Sequence, residues 1–437
     1  MNILFYAEPL PIRNSFHQHS AVASKFADII ENNLDYILEK KIKVKILANQ
    51  HVHNELLEKR PVVRPALHVL DPEIDSTIED MLVDWRAKGI EIWKDLMRGK
   101  GEFSKFTDKL LTDVKTKSFD FDVLICWGQN GALEKFCKKN KVVLLHMELG
   151  SIRSPFPEYL ILDPRGVNGN ASPLKLTIKD IKRFSEPLDP HFARLLLSID
   201  SQNQAETRTP FDAGKRVFKD GAILNAEKVA LLPLQLYDDA NILLYSPFET
   251  PLDFLKKTVQ LLLDGGYHVV VKTHPAAKLR PVNYLHQTKC IEYAKSLPNV
   301  TILDEGVSSL ENLELINSVD LVVTINSSLG FESLLLGKVV CVLGDAMYKV
   351  KGVFPTLECV LSDRFDLSAY KNNIEYLVGF ILRNYFLSPE SVYSQKFFKR
   401  VELLTLTSAK SFSVPDFIRL SKQGLDNEFL KDVVVDV

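Results

Sequence analysis

The stretch Val319-DLVVTINSSLGFESLLLGKVVCVLG-Asp345 reads as strand, polar turn, helix and strand. Leu321-Val322-Val323 is apolar enough for a buried parallel strand, and Asn326-Ser327-Ser328 ends it with short side chains that favour a turn and a helix N-cap. A helix is expected from Leu329 to about Leu336, stopped by Gly337. Backbone N–H groups at a helix start are unpaired and the helix dipole favours negative charge, so such a turn can hold a phosphate. Glu332, one turn into the helix, is placed to take ribose hydroxyls. The plain alternative is an ordinary βαβ unit with a pair of capping serines.

Working outward, the C-terminal half repeats the same grammar. The apolar run Val229 to Gln235 leads into Leu236-Tyr237-Asp238-Asp239, which puts paired acids at the ligand edge of a sheet. A helix is predicted over Pro251 to Asp264, and the strand His268 to Lys272 runs into Thr273-His274-Pro275. There an imidazole fixed by the following proline can donate to a phosphate oxygen. A strand over Asn299 to Leu303 and a helix over Ser309 to Ser318 lead back to the opening stretch, and helices are expected over Ser368 to Asn384 and Pro389 to Leu404.

The N-terminal half begins with a strand over Asn2 to Ala7 and a loop carrying Arg13, Asn14, His17 and His19. Two histidines without neighbouring carboxylate or thiol partners make hydrogen bonds more often than a metal site, and no metal is expected. A helix over Ser20 to Glu39 and a strand over Lys43 to Leu47 follow. A charged helical insertion then carries apolar residues in two runs that meet near Gly89, the pattern of solvated helix covering a sheet. Asp122 to Trp127, a helix over Ala132 to Lys139 and Val142 to His146 resume the sheet. That last strand ends in Met147-Glu148-Leu149-Gly150-Ser151-Ile152-Arg153, a carboxylate and a guanidinium beside a glycine. They form either an acid or base next to an anion clamp, or an internal Glu148–Arg153 ion pair. After the strand Tyr159 to Asp163, a polar connection from about Leu174 to Lys219 joins the halves.

The totals fit two or three soluble domains: 437 residues, 46% hydrophobic, 25% charged, net charge -2. That balance gives no global reason to expect nucleic-acid binding. Five scattered cysteines without CxxC spacing suggest buried free thiols in a reducing compartment. The opening MNILFYAEPL has no basic n-region, and no window reaches the roughly 18 apolar residues of a spanning helix. The expected location is cytoplasmic, free or peripheral on the inner face of the cytoplasmic membrane.

The order of the pieces carries more than any one of them. Gln235-x-x-Asp238-Asp239, Lys272-Thr273-His274-Pro275, Asn326-Ser327-Ser328-Leu329-Gly330-Phe331-Glu332 and Gly344-Asp345 follow Glu148-x-Gly150-x-x-Arg153-Ser154 and Leu162-Asp163-Pro164-Arg165-Gly166. Together they resemble the bacterial capsule-polysaccharide synthesis family, specifically its β-Kdo transferases, where Kdo is 3-deoxy-D-manno-oct-2-ulosonic acid. The resemblance covers most of residues 121–355.

It implies an α/β fold of the glycosyltransferase-B type, two facing Rossmann-like domains with an interdomain cleft. The first is expected over residues 1–225 with a helical insertion at about 54–118, the second over 226–385, and closing helices and a tail over 386–437. It further implies a CMP-Kdo donor, no metal or other cofactor, and retention of configuration. The carry-over makes Asp239 the nucleophile, with Asp238 as the second choice, and Glu148 the acid/base. His274, Ser327 and Ser328 then hold CMP, and Glu332 is a further nucleotide contact. Gln235 lies in the motif, and Lys272, Arg153 or Arg13 is available for the sugar carboxylate. The two carboxylates are expected to meet when the cleft closes.

One departure stands out: the family's Glu-Asp-Gly reads Glu148-Leu149-Gly150 here, so the aspartate's role is absent or reassigned. The implied partners are a glycan or glycolipid acceptor and other polysaccharide-assembly proteins near the inner membrane, with no nucleic acid. A CDP-glycerol-type phosphotransferase, a nucleotide-sugar epimerase and a catalytically silent assembly subunit remain as alternatives.

Overall fold

The computed structural model describes residues 1–11, 19–188, 226–303 and 308–408. Arg13, Asn14, His17, the end of the expected connection and the C-terminal tail lie outside the described residues.

Two sheets organise the chain. The first runs in the order β3-β2-β1-β4-β5-β6, built from β1 (Asn2–Tyr6), β2 (Lys43–Leu47), β3 (Leu67–His68), β4 (Val123–Trp127), β5 (Val143–Leu149) and β6 (Leu160–Asp163). β1 pairs in parallel with both β2 and β4, setting Ile3 opposite Val44 on one side and Val123 on the other. The second sheet runs β11-β10-β7-β8-β9, from β7 (Val229–Pro233), β8 (His268–Lys272), β9 (Val300–Leu303), β10 (Leu321–Thr324) and β11 (Val339–Val342). Its pairings are all parallel. In each sheet the first strand sits inside, and later strands are laid to one side and then to the other. The strand order therefore reverses between β1 and β4, and again between β7 and β10. Loops leaving the carboxyl ends at such a reversal diverge and open a crevice, the usual ligand position in an open α/β sheet. These are two Rossmann-like domains, the pair of which a glycosyltransferase-B-type chain is made.

Strands buried on both faces explain the unbroken apolar runs. Leu232, Val269, Val271, Leu321 and Val323 pack with Phe254, Leu255, Val259 and Leu262 of the helix Pro251–Asp264. That helix begins where the sequence says, because the Thr250 hydroxyl accepts the Asp253 N–H at 3.1 Å. In the first unit Leu4, Tyr6, Leu124 and Cys126 pack with Phe103, Leu110 and Phe136 from the covering helices. The charged segment forms the helices Pro72–Met97 and Gly101–Asp113, the former interrupted at Lys88, beside the expected junction at Gly89. Leu67 and His68, within the expected insertion, pair with Ile46 and Leu47 as an added edge strand.

Some expected helices are divided. Ser20 to Glu39 is two helices, Ser20–Glu31 and Leu34–Glu39. The Asn32 and Asn33 side chains donate to the Asp28 and Ile29 carbonyls, each at 2.8 Å, and end the first. Pro389 to Leu404 breaks into Pro389–Val392 and Lys396–Ser408. The Ser394 hydroxyl accepts the Lys396 N–H at the new start. Helices at Gln50–Lys59 and Pro281–Lys295 had no counterpart in the sequence reading.

The compact units do not follow one linker. Among the described residues the first takes Met1–Glu148, Leu160–Val167 and 387–408; the second takes Leu149–Tyr159 and 168–386. The last helix belongs with the first unit because Phe397 is buried and stacks 6.5 Å from Phe5. Cys126, Cys137, Cys290, Cys341 and Cys359 are all free thiols, the first four buried.

Candidate active site

The second unit gathers polar side chains where β10, β7 and β8 end side by side. Gln235, just past β7, is buried, and its Nε2 donates to Asn326 Oδ1 at 2.7 Å across the strand reversal. Asn326 in turn donates to the Asp345 carbonyl at 3.3 Å, which ties the turn to the end of β11. Ser327 is the N-cap of the helix Ser328–Leu335: its hydroxyl accepts the Leu329 N–H at 3.3 Å, and its own N–H donates to Thr324 Oγ1 at 3.1 Å. The buried Tyr348 hydroxyl donates to the Ser327 carbonyl at 2.7 Å and fixes the turn from behind. Ser328 is the first residue of the helix and half-buried. The capping-serine reading and the phosphate reading are therefore compatible, since a cap leaves other first-turn N–H groups available.

Glu332 lies one turn in and is only 7% exposed. Burial pushes its carboxyl up to about 7, while the Arg153 guanidinium, the Arg153 backbone N–H and Lys272 pull it down. Its Oε1 has no hydrogen-bond partner, and neither has Gln235 Oε1. A buried acceptor without a donor costs roughly 1–3 kcal/mol. Both lie at the same sheet edge. Lys272, the last residue of β8, is held below the usual lysine pKa by burial and raised by Glu332. Arg153 is exposed, and its guanidinium donates to the Gly150 carbonyl and, at 2.8 Å, to the Ile152 carbonyl.

His274 is oriented by its own turn. Its Nδ1 accepts the Ala276 N–H at 3.1 Å, so that nitrogen carries no proton and the neutral ring holds its hydrogen on Nε2. Burial lowers its pKa first of all; Asp239 and Asp238 raise it, and Lys272 and Arg280 lower it further. At neutral pH the ring is thus an uncharged donor through Nε2. Asp239 is half-buried and caps the helix Ala240–Tyr245, accepting the Asn241 N–H at 2.9 Å.

Asp238 differs sharply from its neighbour. It is 2% exposed and clasped by Arg280, whose Nε stands 2.6 Å from Oδ2 and whose Nη2 donates to Oδ1 at 2.9 Å. Asn283 Nδ2 also donates to Oδ1, at 2.9 Å. A carboxylate so occupied is poorly disposed to attack carbon, whereas Asp239 caps a helix start through the Asn241 N–H.

The first unit carries Glu148, half-buried near the end of β5. A Cβ placed on Gly128 would lie 3.6 Å from Glu148 Oε2, and Gly128 has φ +72°, so the carboxylate lies over a position suited to glycine. At this unit's own strand reversal, Glu8 and Asn130 meet as Gln235 and Asn326 do in the other. Asn130 Nδ2 donates to Glu8 Oε2 at 2.7 Å, Tyr6 donates to Oε1 at 2.9 Å and the Leu10 N–H donates to the same oxygen at 3.3 Å. Both Glu8 oxygens are thereby engaged. Burial nevertheless pushes its carboxyl up to about 7. His19 is half-buried.

The second unit thus draws Gln235, Lys272, His274, Ser327, Glu332 and the Asp238-Asp239 pair to one sheet edge, with Arg153 beside Glu332. Sequence reasoning missed Glu8, Asn130 and the helix residues Arg280, Asn283 and Gln287. Among the described residues no group of three or more His, Cys, Asp or Glu side chains is arranged to hold a metal ion. Among the same residues no helix is long and apolar enough to cross a membrane.

Residues 214–364 match the model of a family described as capsule polysaccharide biosynthesis protein. A curated relative, protein FixF of Sinorhizobium fredii, is 28% identical over 200 residues, 45% of this chain and 42% of that one. The chain thus spans less than half the length of that relative. Among solved structures, the Thermosulfurimonas dismutans KpsC β-Kdo 2,7 transferase has 16% identity and a TM-score of 0.41, covering 89% of this chain and 92% of that one. The β-Kdo 2,4 transferase of the same protein has 19% identity and a TM-score of 0.39, covering 62% and 83%. The UDP-GlcNAc 2-epimerase of Neisseria meningitidis has 16% identity and a TM-score of 0.34, covering 93% and 100%. The matched segment contains β7 to β11 and every site residue of the second unit named above except Arg153. Over that segment the chain is similar to the capsule polysaccharide biosynthesis family.

Proposed function

We propose that this chain is a glycosyltransferase that moves Kdo from CMP-Kdo to a hydroxyl of a glycan or glycolipid acceptor in capsule or lipopolysaccharide synthesis, with retention. The observation that carries the reading is the composition of the second unit's sheet edge. It offers a neutral imidazole donor, a serine-capped helix start and two buried acceptors without donors. A nucleoside monophosphate ester supplies the counterpart of each: phosphate oxygens for His274 Nε2–H and the Ser327-Ser328 turn, and hydroxyl or amino donors for Glu332 and Gln235.

The chemistry follows in two steps. An Asp239 oxygen forms a bond to the anomeric carbon of Kdo as the bond from that carbon to the phosphate oxygen breaks. The electron pair leaves with CMP, whose developing charge His274 and the helix start stabilise. Glu148 then takes the proton of the acceptor hydroxyl, whose oxygen bonds to the anomeric carbon while the Asp239 ester bond breaks and its electron pair returns to the carboxylate. Two displacements restore the starting configuration. Lys272 and Arg153 are the candidate partners for the sugar carboxylate.

Isothermal titration of the full chain with CMP tests the nucleotide reading. Saturable CMP binding is expected, weakened about tenfold or more in His274→Ala, the usual scale for losing a hydrogen bond to a charged group. Absence of CMP binding together with binding of a UDP- or CDP-linked donor would reject it.

A further inference from the structure

The helix Pro281–Lys295 packs the wrong way round for a surface helix. Its buried residues near the site are Asn283 and Gln287, 2% and 6% exposed, while Tyr284 and Leu285 are 52% and 54% exposed. Only farther along, at Cys290 and Ala294, does the buried face become small and apolar. Burying polar side chains beside exposed apolar ones adds little stability. A buried ion pair such as Arg280–Asp238 is commonly matched or bettered by apolar residues of the same volume. The polar face therefore calls for another explanation, and the hydrogen bonds supply it.

Arg280, the N-cap of this helix, and Asn283 and Gln287 on its buried face reach two different loops. Arg280 and Asn283 hold the loop after β7 through the Asp238 carboxylate, and Asn283 Oδ1 also accepts the Asp238 backbone N–H at 3.1 Å. The single asparagine thus grips both the backbone and the side chain of Asp238. Gln287 Oε1 accepts the His274 backbone N–H at 2.7 Å and so holds the loop after β8. The residue next to Asp238 is Asp239, and the residue held by Gln287 is His274.

We propose that Arg280, Asn283 and Gln287 are positioning residues: one helix start and the face behind it set the distance between the Asp239 carboxylate and the His274 imidazole. Asp238 belongs to this bracket and is not the nucleophile. The inference rests on the proposed roles of Asp239 and His274. Attack on the anomeric carbon and protection of the departing phosphate occur at the two ends of one breaking bond, so the nucleophile and the phosphate's donor must be held at one fixed spacing. Misplacement by about 1 Å costs on the order of a hundredfold in rate.

The test compares full-length wild type with Arg280→Met, Gln287→Leu, Asp238→Asn and the Arg280→Met/Asp238→Asn pair. CMP affinity is read by titration, the rate of CMP release at saturating CMP-Kdo by turnover, and folding by thermal melting. Each single variant is expected to keep CMP affinity within about threefold while CMP release slows roughly 10- to 100-fold. The pair is expected to be no slower than Arg280→Met alone, because both changes break the same link. If Arg280→Met does not fold, Arg280→Lys keeps the charge, loses the two-pronged geometry and is expected to show the same split.

Wild-type rates in Arg280→Met and Gln287→Leu would overturn the proposal. So would affinity and rate falling together, which marks a merely structural helix, or complete loss in Asp238→Asn with activity retained in Asp239→Asn. A wild-type protein that releases no CMP from CMP-Kdo rejects the underlying transferase reading instead.

Discussion

At the scale of single residues, the telling atoms are Gln235 Oε1 and Glu332 Oε1, buried acceptors that lack donors. Glu8, which meets Asn130 in the first unit as Gln235 meets Asn326 in the second, receives Tyr6, Leu10 and Asn130. The proposed nucleotide site is the second unit's. It also makes a proton count. Glu332 titrates at about 7, so at pH 6.5 much of it is protonated. A ligand that donates hydrogen bonds to the carboxylate favours the charged form and must expel that proton. Titrating CMP-Kdo at pH 6.5 in buffers of different ionisation enthalpy should show more proton release by wild type than by Glu332→Gln. Equal counts in the two proteins would remove Glu332 from the donor contacts.

Among the elements, the strand–turn–helix of Leu321–Leu335 depends on Gly330. A Cβ there would stand 2.4 Å from the Tyr348 hydroxyl and 2.8 Å from Thr324 Cγ2, the groups that fix Ser327. Gly330→Ala is therefore expected to destabilise the protein by about 1–3 kcal/mol and to weaken CMP binding, readable by denaturant melts and titration. Unchanged affinity would show that the turn tolerates displacement. This element was legible from sequence because its strand is apolar on both faces and its cap is made of short polar side chains. His268–Lys272 and Pro251–Asp264 were legible for like reasons, with bounds that agree. The helix Pro281–Lys295 was not, since its buried face is polar beside the site while Tyr284 and Leu285 are exposed, which defeats a periodicity search. A useful signal was present all the same: Arg280, Asn283 and Gln287 recur at three- and four-residue spacing just after the HisPro pair. Asp238 was equally hard to separate from Asp239, because only tertiary contacts with Arg280 and Asn283 distinguish two adjacent aspartates.

For the molecule as a whole, the same strand-order reversal carries different side chains in the two units. In the first it is closed by the Glu8 network, and burial of that carboxyl ties stability to pH. Its folded pKa of about 7 lies above the ordinary 4.5, so the folded state holds the proton more tightly than the unfolded chain. The contribution is fully present below about pH 4.5 and is lost as pH rises through 7, on the order of 1–3 kcal/mol. The melting temperature should fall between pH 5 and pH 8, and Glu8→Gln should flatten that slope; an unaltered slope would show that Glu8 is not its source. In the second unit Gln235 and Asn326 meet at the reversal, and the proposed chemistry is a covalent exchange beside them. Its most direct test is the intact mass of the protein after incubation with CMP-Kdo without acceptor, followed by peptide mapping. The account predicts a single Kdo adduct on Asp239 that disappears on adding acceptor and never forms in Asp239→Asn. Release of CMP with no adduct, or an adduct mapped to another residue, would contradict it.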